Sequence, residues 1–360
     1  MPTPTNAPSA GPTGRTIQNP ELFNSSTERQ EMPQASAAIK GLGKSQRFII
    51  EKVGVIARAR FLIKCTFETE ATAATLAIGF PWRLIRSLSL EANGVTGIID
   101  CSGMALEQRR RRLFRNPVKA VEVVPKVNEV LNASTKYEAV FALEVPIAHD
   151  MTSLIGALLA QNEETQLSLL VQWATEEEIV ASGKILKFEG EVEWFTTTFS
   201  IGTATINKQE VTVLPDLTAF HGLLEEETPL IGTGERKTSL IRTDGQLLCL
   251  TTSVLNGPHA EITPASWTTH YLEYGGNKKP LVWTPASQLL ELNADEYDGP
   301  LDINGVHFLA IDNETDNPQR DMIIPADLVE LRAVVGIKSG ETVNANAQIV
   351  ITQETLYPAV

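Results

Sequence analysis

The stretch Val55-Ile56-Ala57-Arg58-Ala59-Arg60-Phe61-Leu62-Ile63-Lys64-Cys65-Thr66-Phe67-Glu68 decides the fold class. Val55, Ala57, Ala59, Phe61, Ile63, Cys65 and Phe67 share one parity, and Arg58, Arg60, Lys64, Thr66 and Glu68 share the other. Successive side chains of a strand point to opposite faces, so this alternation predicts a long strand with one face in a core. The same period returns at Tyr137, Ala139, Phe141, Leu143 and Val145, and at Leu167, Leu169, Val171 and Trp173. It is clearest where Leu186, Phe188, Val192 and Trp194 alternate with Lys187, Glu189, Glu191 and Glu193. Leu331, Ala333, Val335 and Ile337, then Ala347, Ile349 and Ile351, continue it.

Turn chemistry agrees. Asn93-Gly94, Asp244-Gly245, Asn256-Gly257, Asp298-Gly299 and Asn304-Gly305 supply residues that tolerate positive φ. Short alternating strands with frequent turns predict an all-β sandwich or barrel. Three helices are expected: Gly103–Phe114 with Ser102 as N-cap, Thr152–Gln161 with Asp150 or Thr152 near its start, and Pro285–Leu292.

Residues 1–47 differ from the rest. Pro, Thr, Ser, Ala, Gly and Asn dominate, and Arg15, Arg29, Lys40, Lys44 and Arg47 outnumber Glu21, Glu28 and Glu31. No apolar period appears, so this predicts an extended arm that orders against a partner. The remainder reads as one plan used twice. Leu167–Trp173, a charged loop at Glu176–Glu178 and Leu186–Phe195 match Val329–Ile337, a loop at Lys338–Asn346 and Ala347–Thr352. Upstream, Tyr137–Val145 matches Val306–Ile311, and Phe48–Phe67 around Gly54 matches Ser239–Leu255 around Gly245. The expected units are 48–214 and 236–360, joined by a linker at 215–235 that contains Glu225, Glu226 and Glu227.

Composition narrows the function. The net charge of -14 opposes wrapping of nucleic acid or anionic membrane by the whole surface, since phosphate has the same sign. Cys65, Cys101 and Cys249 form no CxxC pair and fit a chain made in a reducing cytoplasm, as small core residues. Met1 is followed by no apolar run of signal-peptide type, so no secretory route is expected and the sequons at Asn24, Asn132 and Asn313 carry no meaning. The five histidines, His149, His221, His259, His270 and His307, show no HxH or HExxH spacing, so they read as surface or loop residues and no metal is expected. Gly232-Thr233-Gly234-Glu235-Arg236-Lys237-Thr238 resembles a phosphate loop, but Arg236 stands where Gly must precede Lys. GxSxG is absent. Acidic pairs and runs such as Glu163-Glu164 and Glu176–Glu178 read as solvated faces rather than glycosidase carboxylates. No catalytic residue, cofactor or enzymatic activity is therefore expected.

Arg109-Arg110-Arg111-Arg112 with Arg115 is the sharpest local feature. Four successive arginines on a helix point in all directions. A solvated helix would explain them. So would pairing with acidic groups of another subunit, to which the guanidinium fork is suited, or contact with phosphate groups. These five are the expected inter-subunit contacts.

Two stretches resemble a known family. Pro146-Ile147-Ala148-His149-Asp150, leading to Gly156-Ala157-Leu158-Leu159-Ala160-Gln161-Asn162 and Leu167–Trp173, resembles the strand–short helix–strand connection of double jelly-roll major capsid proteins of tectivirus-like, membrane-containing bacteriophages. Pro81-Trp82-Arg83-Leu84-Ile85-Arg86-Ser87-Leu88-Ser89-Leu90-Glu91-Ala92-Asn93-Gly94 resembles their early strand. The resemblance implies two consecutive eight-stranded jelly-roll sandwiches. It implies homotrimers of pseudo-hexagonal outline that tile an icosahedral shell, with self, neighbouring trimers and a penton protein as partners. The arm could touch an internal membrane, and no specific nucleic acid is implied. The place would be the virion, assembled in host cytoplasm. A virion spike or tail receptor-binding protein is the alternative, with a sugar site among Trp267, Tyr271, Tyr274 and Trp283; ordinary sandwich packing would also explain those aromatics. A carbohydrate-active jelly roll would instead need two carboxylates roughly 5–10 Å apart across a cleft.

Overall fold

The computed structural model describes residues 15–70, 73–92, 95–113, 130–160, 166–257, 260–274, 282–285, 306–310 and 330–359. Sixteen of its strands build two sandwiches. The first eight are β1 (Arg29–Pro33), β2 (Ser45–Ile49), β3 (Val55–Thr69), β4 (Ile85–Ala92), β5 (Val95–Cys101), β6 (Lys136–Pro146), β7 (Leu167–Trp173) and β8 (Ile185–Phe199). The second eight are β9 (Ala219–Pro229), β10 (Gly234–Leu240), β11 (Gln246–Asn256), β12 (Trp267–Glu273), β13 (Val282–Pro285), β14 (Val306–Ala310), β15 (Arg332–Ile337) and β16 (Ala347–Pro358).

In the first sandwich a sheet ordered β6-β3-β8-β1 faces one ordered β5-β4-β7-β2. In the second, β14-β11-β16-β9 faces β13-β12-β15-β10. Adding eight to each label turns one sandwich into the other. The repeat extends to irregularities. β8 slips against β3 so that Thr197 and Thr198 oppose Arg58 and Ile56. β16 slips against β11 so that Glu354 and Thr355 oppose Cys249 and Leu247. The sandwiches meet where β9 pairs in parallel with β5, at Leu223↔Ile99 and Leu224↔Asp100. One sheet of each thereby continues as a single eight-stranded sheet.

Alternation creates the cores. Phe61, Ile63, Cys65 and Phe67 of β3 meet Leu88 and Leu90 of β4 and Leu169, Val171 and Trp173 of β7. The rings of Phe61 and Trp194 stack at 5.4 Å, and Phe48 stands edge-on to Phe61 at 5.3 Å. In the second sandwich Leu250, Val254, Ile349 and Ile351 meet Trp267, Leu272, Ala333, Val335 and Ile337. Each such side chain contributes roughly 1.5–3 kcal/mol on leaving water. Cys65, Cys101 and Cys249 are buried free thiols.

Several expectations change. Phe48–Phe67 and Ser239–Leu255 are each two strands, β2 with β3 and β10 with β11, that enter opposite sheets. The break falls at the two glycines. Gly54 has φ +61, and a Cβ there would sit 2.1 Å from the Phe199 carbonyl oxygen. A Cβ on Gly245 would sit 2.8 Å from the Leu356 carbonyl oxygen, and Leu356 in β16 is the counterpart of Phe199 in β8. Leu186 points outward, 64% exposed, because β8 slips in register between Ile185 and Lys187.

The arm, from Arg15 onward, lies on its own chain. Thr16–Gln18 pairs with Thr212–Leu214, β1 pairs with β8, and β2 pairs with β7. Helix α1 (Pro20–Ser26) is capped by the Asn19 side chain and buries Phe23 against Phe199. Within the span expected as a linker runs β9. Helix α2 (Gly103–Leu113) forms where expected; Phe114 and residues 286–292 lie outside the described residues. Thr152–Gln161 does not form a helix. Asp150 Oδ1 accepts from the amides of Thr152 and Ser153, but Leu154 and Gly156 take φ of 55 and 87, which a right-handed helix excludes. Leu158 and Leu159 pair with β3 instead. Of the five Asx-Gly turns, the described residues cover Asp244-Gly245 and Asn256-Gly257, and Gly257 has φ 87.

Gly54→Ala and Gly245→Ala should each lower stability by roughly 1–3 kcal/mol in urea titrations. An unchanged midpoint in both would mean that the two breaks do not depend on the missing Cβ.

Candidate functional site

The joint between the sandwiches is closed by charge. Ser102 caps α2, its Oγ accepting from the Ala105 amide at 3.2 Å. Ser102 in turn donates from its amide and hydroxyl to Glu225 Oε2 of β9, at 3.0 and 2.7 Å. Thus a carboxylate of the second sandwich holds the start of a helix of the first. Burial, only partly offset by the Ser102 bonds, pushes the Glu225 carboxyl up to about 7.

The helix then divides its arginines by angular position. Arg109 and Arg112, three apart, share the inward side, while Arg110 and Arg111 turn away from it. Arg109 Nε donates to Glu354 Oε1 of β16 at 2.7 Å, and its Nη2 donates to the His149 carbonyl at 2.9 Å. Arg112 pairs with Glu354 Oε2. His221 of β9 places Nε2 at 2.9 Å and His149 places Nδ1 at 3.3 Å from Glu354 Oε1. His221 Nδ1 lies 3.1 Å from the Pro146 carbonyl oxygen. Glu354 is 3% exposed and Arg112 1%. Burial alone would raise the Glu354 carboxyl, but Arg109 and Arg112, with the two histidines, hold it well below the usual range. Burial pushes His221 down to about 4, against the pull of Glu354, and an acceptor oxygen stands at each of its ring nitrogens. Around the carboxylate, Ile155 packs with Leu248 and Leu356.

Arg110 and Arg111 both donate to Glu107 at 2.7 Å, and Arg111 lies 5.0 Å from the centre of the Trp82 ring. Of the arginines expected to contact another subunit, Arg109 and Arg112 therefore have intrachain partners at depth, and Arg110 and Arg111 stand nearer the surface. Arg115 lies outside the described residues.

The histidines correct the sequence reading. His149, His221, His270 and His307 are buried, because each sits on a strand or connection covered by the other sandwich or by its own. His259 lies outside the described residues. Ligand atoms of His149, His221 and Glu354 lie within 4.8 Å of one another. The donor set alone would suit a divalent cation, but the carboxylate already faces two guanidinium groups. A further double positive charge would be repelled at such short range in a medium of low dielectric. His270 and His307 contact each other at 2.9 Å through their Nδ1 atoms beside Trp267. That tryptophan belongs to the second core, and Tyr274 packs against the same core, so these two are not presented as a sugar platform.

Beside the cluster lies a cleft of about 320 Å³ between the sandwiches, lined by Arg83, Glu178, Glu225, Glu227 and Glu261 among others. Two of its acids have structural work: Glu225 at the α2 cap, and Glu178 at the Thr175 cap and on Arg86. Glu354, the centre of the site, escaped sequence reading. The available signal was a carboxylate inside an apolar and threonine-rich strand, Ile349 to Leu356.

No family model matches the chain, and no curated protein does. Solved structures do match. The crystal structure of the STIV MCP aligns at 12% identity with a TM-score of 0.69, over 92% of this chain and 96% of that one. The PBCV-1 virus capsid aligns at 10% identity and 0.64, over 92% and 93%. The major capsid protein P2 of bacteriophage PM2 aligns at 10% and 0.55, over 92% and 98%. The fold is a double jelly roll. Its two rolls share a sheet through β9 and β5 and are locked by Glu354.

Glu354→Ala should cost about 3–5 kcal/mol, because it strands two buried cations. Chemical denaturation checks this, and a loss below about 1 kcal/mol would contradict it. The Glu225 pKa gives a pH signature. Its folded value of about 7 lies above the ordinary 4.5, so its native state binds the proton more tightly and stability is lost as pH rises from 4.5 through 7. Relative to wild type, Glu225→Gln should gain on the order of 2–3 kcal/mol at pH 8 and little at pH 4.5. A pH-independent difference would count against the assignment.

Proposed function

We propose that this chain is the major capsid protein of an icosahedral virus, a bacteriophage of the membrane-containing kind. Three copies form a pseudo-hexagonal homotrimer, and trimers tile the shell. One observation carries the reading: two sandwiches of identical strand order stand side by side in one chain, joined through unlike edges. A joint between unlike surfaces is heterologous, and repeated with a fixed rotation it closes into a ring. Three chains supply six near-equivalent units. The capsid proteins named above share this fold, which supports the reading.

The role is mechanical and not catalytic. We assign the two rolls to the spans 48–214 and 236–360 and extend each upstream to take in β1 and β9. Permanent contacts between such subunits bury on the order of 2,000–5,000 Å². The partners are other copies of the chain and, at the vertices, a penton protein. In this proposal the arm of residues 1–47 has the role of a tether to neighbours or a membrane surface. The site of action is the virion, after assembly in the host cytoplasm. Among the described residues no helix is long and apolar enough to cross a membrane.

Light scattering on the purified chain should give three protomers, and negative-stain images should give hexagonal outlines or shells. Slender fibres or a persistent monomer would refute the proposal. Arg110→Ala, which leaves Glu107 its bond to Arg111, should leave the folded chain intact and reduce shell yield; normal shells from it would remove Arg110 from the contact set.

A further inference from the structure

The intrachain joint has an unused twin. In the second roll, the outer face of β9, β16 and β11 receives the first roll: His221, Glu354, Leu356 and Leu248 meet Arg109, Arg112, His149 and Ile155. The repeat places β1, β8 and β3 at the same position of the first roll. Register pairs convert one face to the other. Glu354 corresponds to Thr197, His221 to Arg29, and Leu223 and Leu224 to Glu31 and Met32.

Around Thr197 the first roll presents a charged surface. Glu31 accepts from the Thr197 hydroxyl at 2.8 Å and from Arg29 Nη2 at 2.6 Å. Glu144 accepts from Arg58 at 3.1 Å and from Arg60 at 2.8 Å. The Arg29, Glu31 and Arg60 side chains are 48%, 39% and 37% exposed, unlike their deeply buried counterparts at the intrachain joint. β1 pairs with β8 on one side, and the described residues place no strand on its other side.

We infer that the face formed by β1, β3 and β8 around Arg29, Glu31 and Arg60 is the seat for the second roll of another copy of this chain. There the outer edge of β1 meets the incoming β13, as β9 meets β5 within the chain. The inference rests on the capsid reading and names its contact surface. The joint is head to tail, so each copy offers one seat and fills one. Charge favours the occupant. Three arginines face two glutamates on the seat, whereas the whole chain carries -14. The in-chain strand contact spans two residue pairs, so a short edge such as β1, ending at Pro33, suffices.

The test compares wild type, Arg29→Glu with Arg60→Glu, and Lys187→Glu at the far end of the same sheet. Sedimentation measures the trimer and circular dichroism the fold. The double variant should weaken trimer formation at least about tenfold, as like charges face each other, while Lys187→Glu should assemble normally. A second measurement uses the wild type alone. Hydrogen exchange at the Glu31 amide, which points away from β8, should slow in the trimer relative to the diluted chain. This reading holds even if the double variant misfolds. Normal trimers from a folded double variant, or equal exchange in the two states, would overturn the seat and leave the capsid reading standing. A wild-type chain that never trimerises would remove both.

Discussion

The arrangement of the two rolls depends on one buried carboxylate. Glu354 sits on the outside of the second sandwich and on the inside of the molecule. It faces two guanidinium groups from α2 and two imidazoles. A charge at that depth is tolerable only when its partners are fixed in place. Those partners come from a helix whose start is held by Glu225, again from the second roll. Two acids of one roll thus position one helix of the other, at its start and at its end. Apolar contact adds to it: Ile155 packs with Leu248 and Leu356, and Leu223 of β9 joins the core of the first roll.

The repeat gives that constraint its wider meaning. Two rolls with the same strand order, the same bulge and the same glycine at the same corner differ in what covers their outer faces. The second is covered by the first. The first carries its own arginine, Arg58, over Thr197, with Glu144 and Glu31 around it. The chain therefore contains one completed joint and one polar face of matching position. That asymmetry is what a ring built from identical chains requires.

Much of this was legible in the residues. Alternation at Phe61, Ile63, Cys65 and Phe67 located β3, and the matched loops located β7 with β8 and β15 with β16. The glycines at 54 and 245 marked both corners, although each was read as lying inside one strand. Their role needs the opposite strand, because the obstacle is the carbonyl of Phe199 or Leu356. The helix expected at Thr152 failed for a related reason. Asp150 makes the same bonds in a cap and in a turn, and the pairing of Leu158 and Leu159 with β3 selects the turn.

By itself the sequence determined the period of β3, β6, β7, β8, β15 and β16, the doubling of the plan and the position of α2, since these rest on the pattern of the residues themselves. Tertiary structure alone decided which arginines turn inward, that four histidines are buried, and that β9 joins the two rolls. The inward arginines, His149 and His221 depend on Glu354, and the joint on Glu225 as well, acids more than a hundred residues from the groups they hold; His270 and His307 depend instead on each other and on Trp267. A charged side chain reads as surface until the fold brings it an opposite charge, and no local pattern records that meeting.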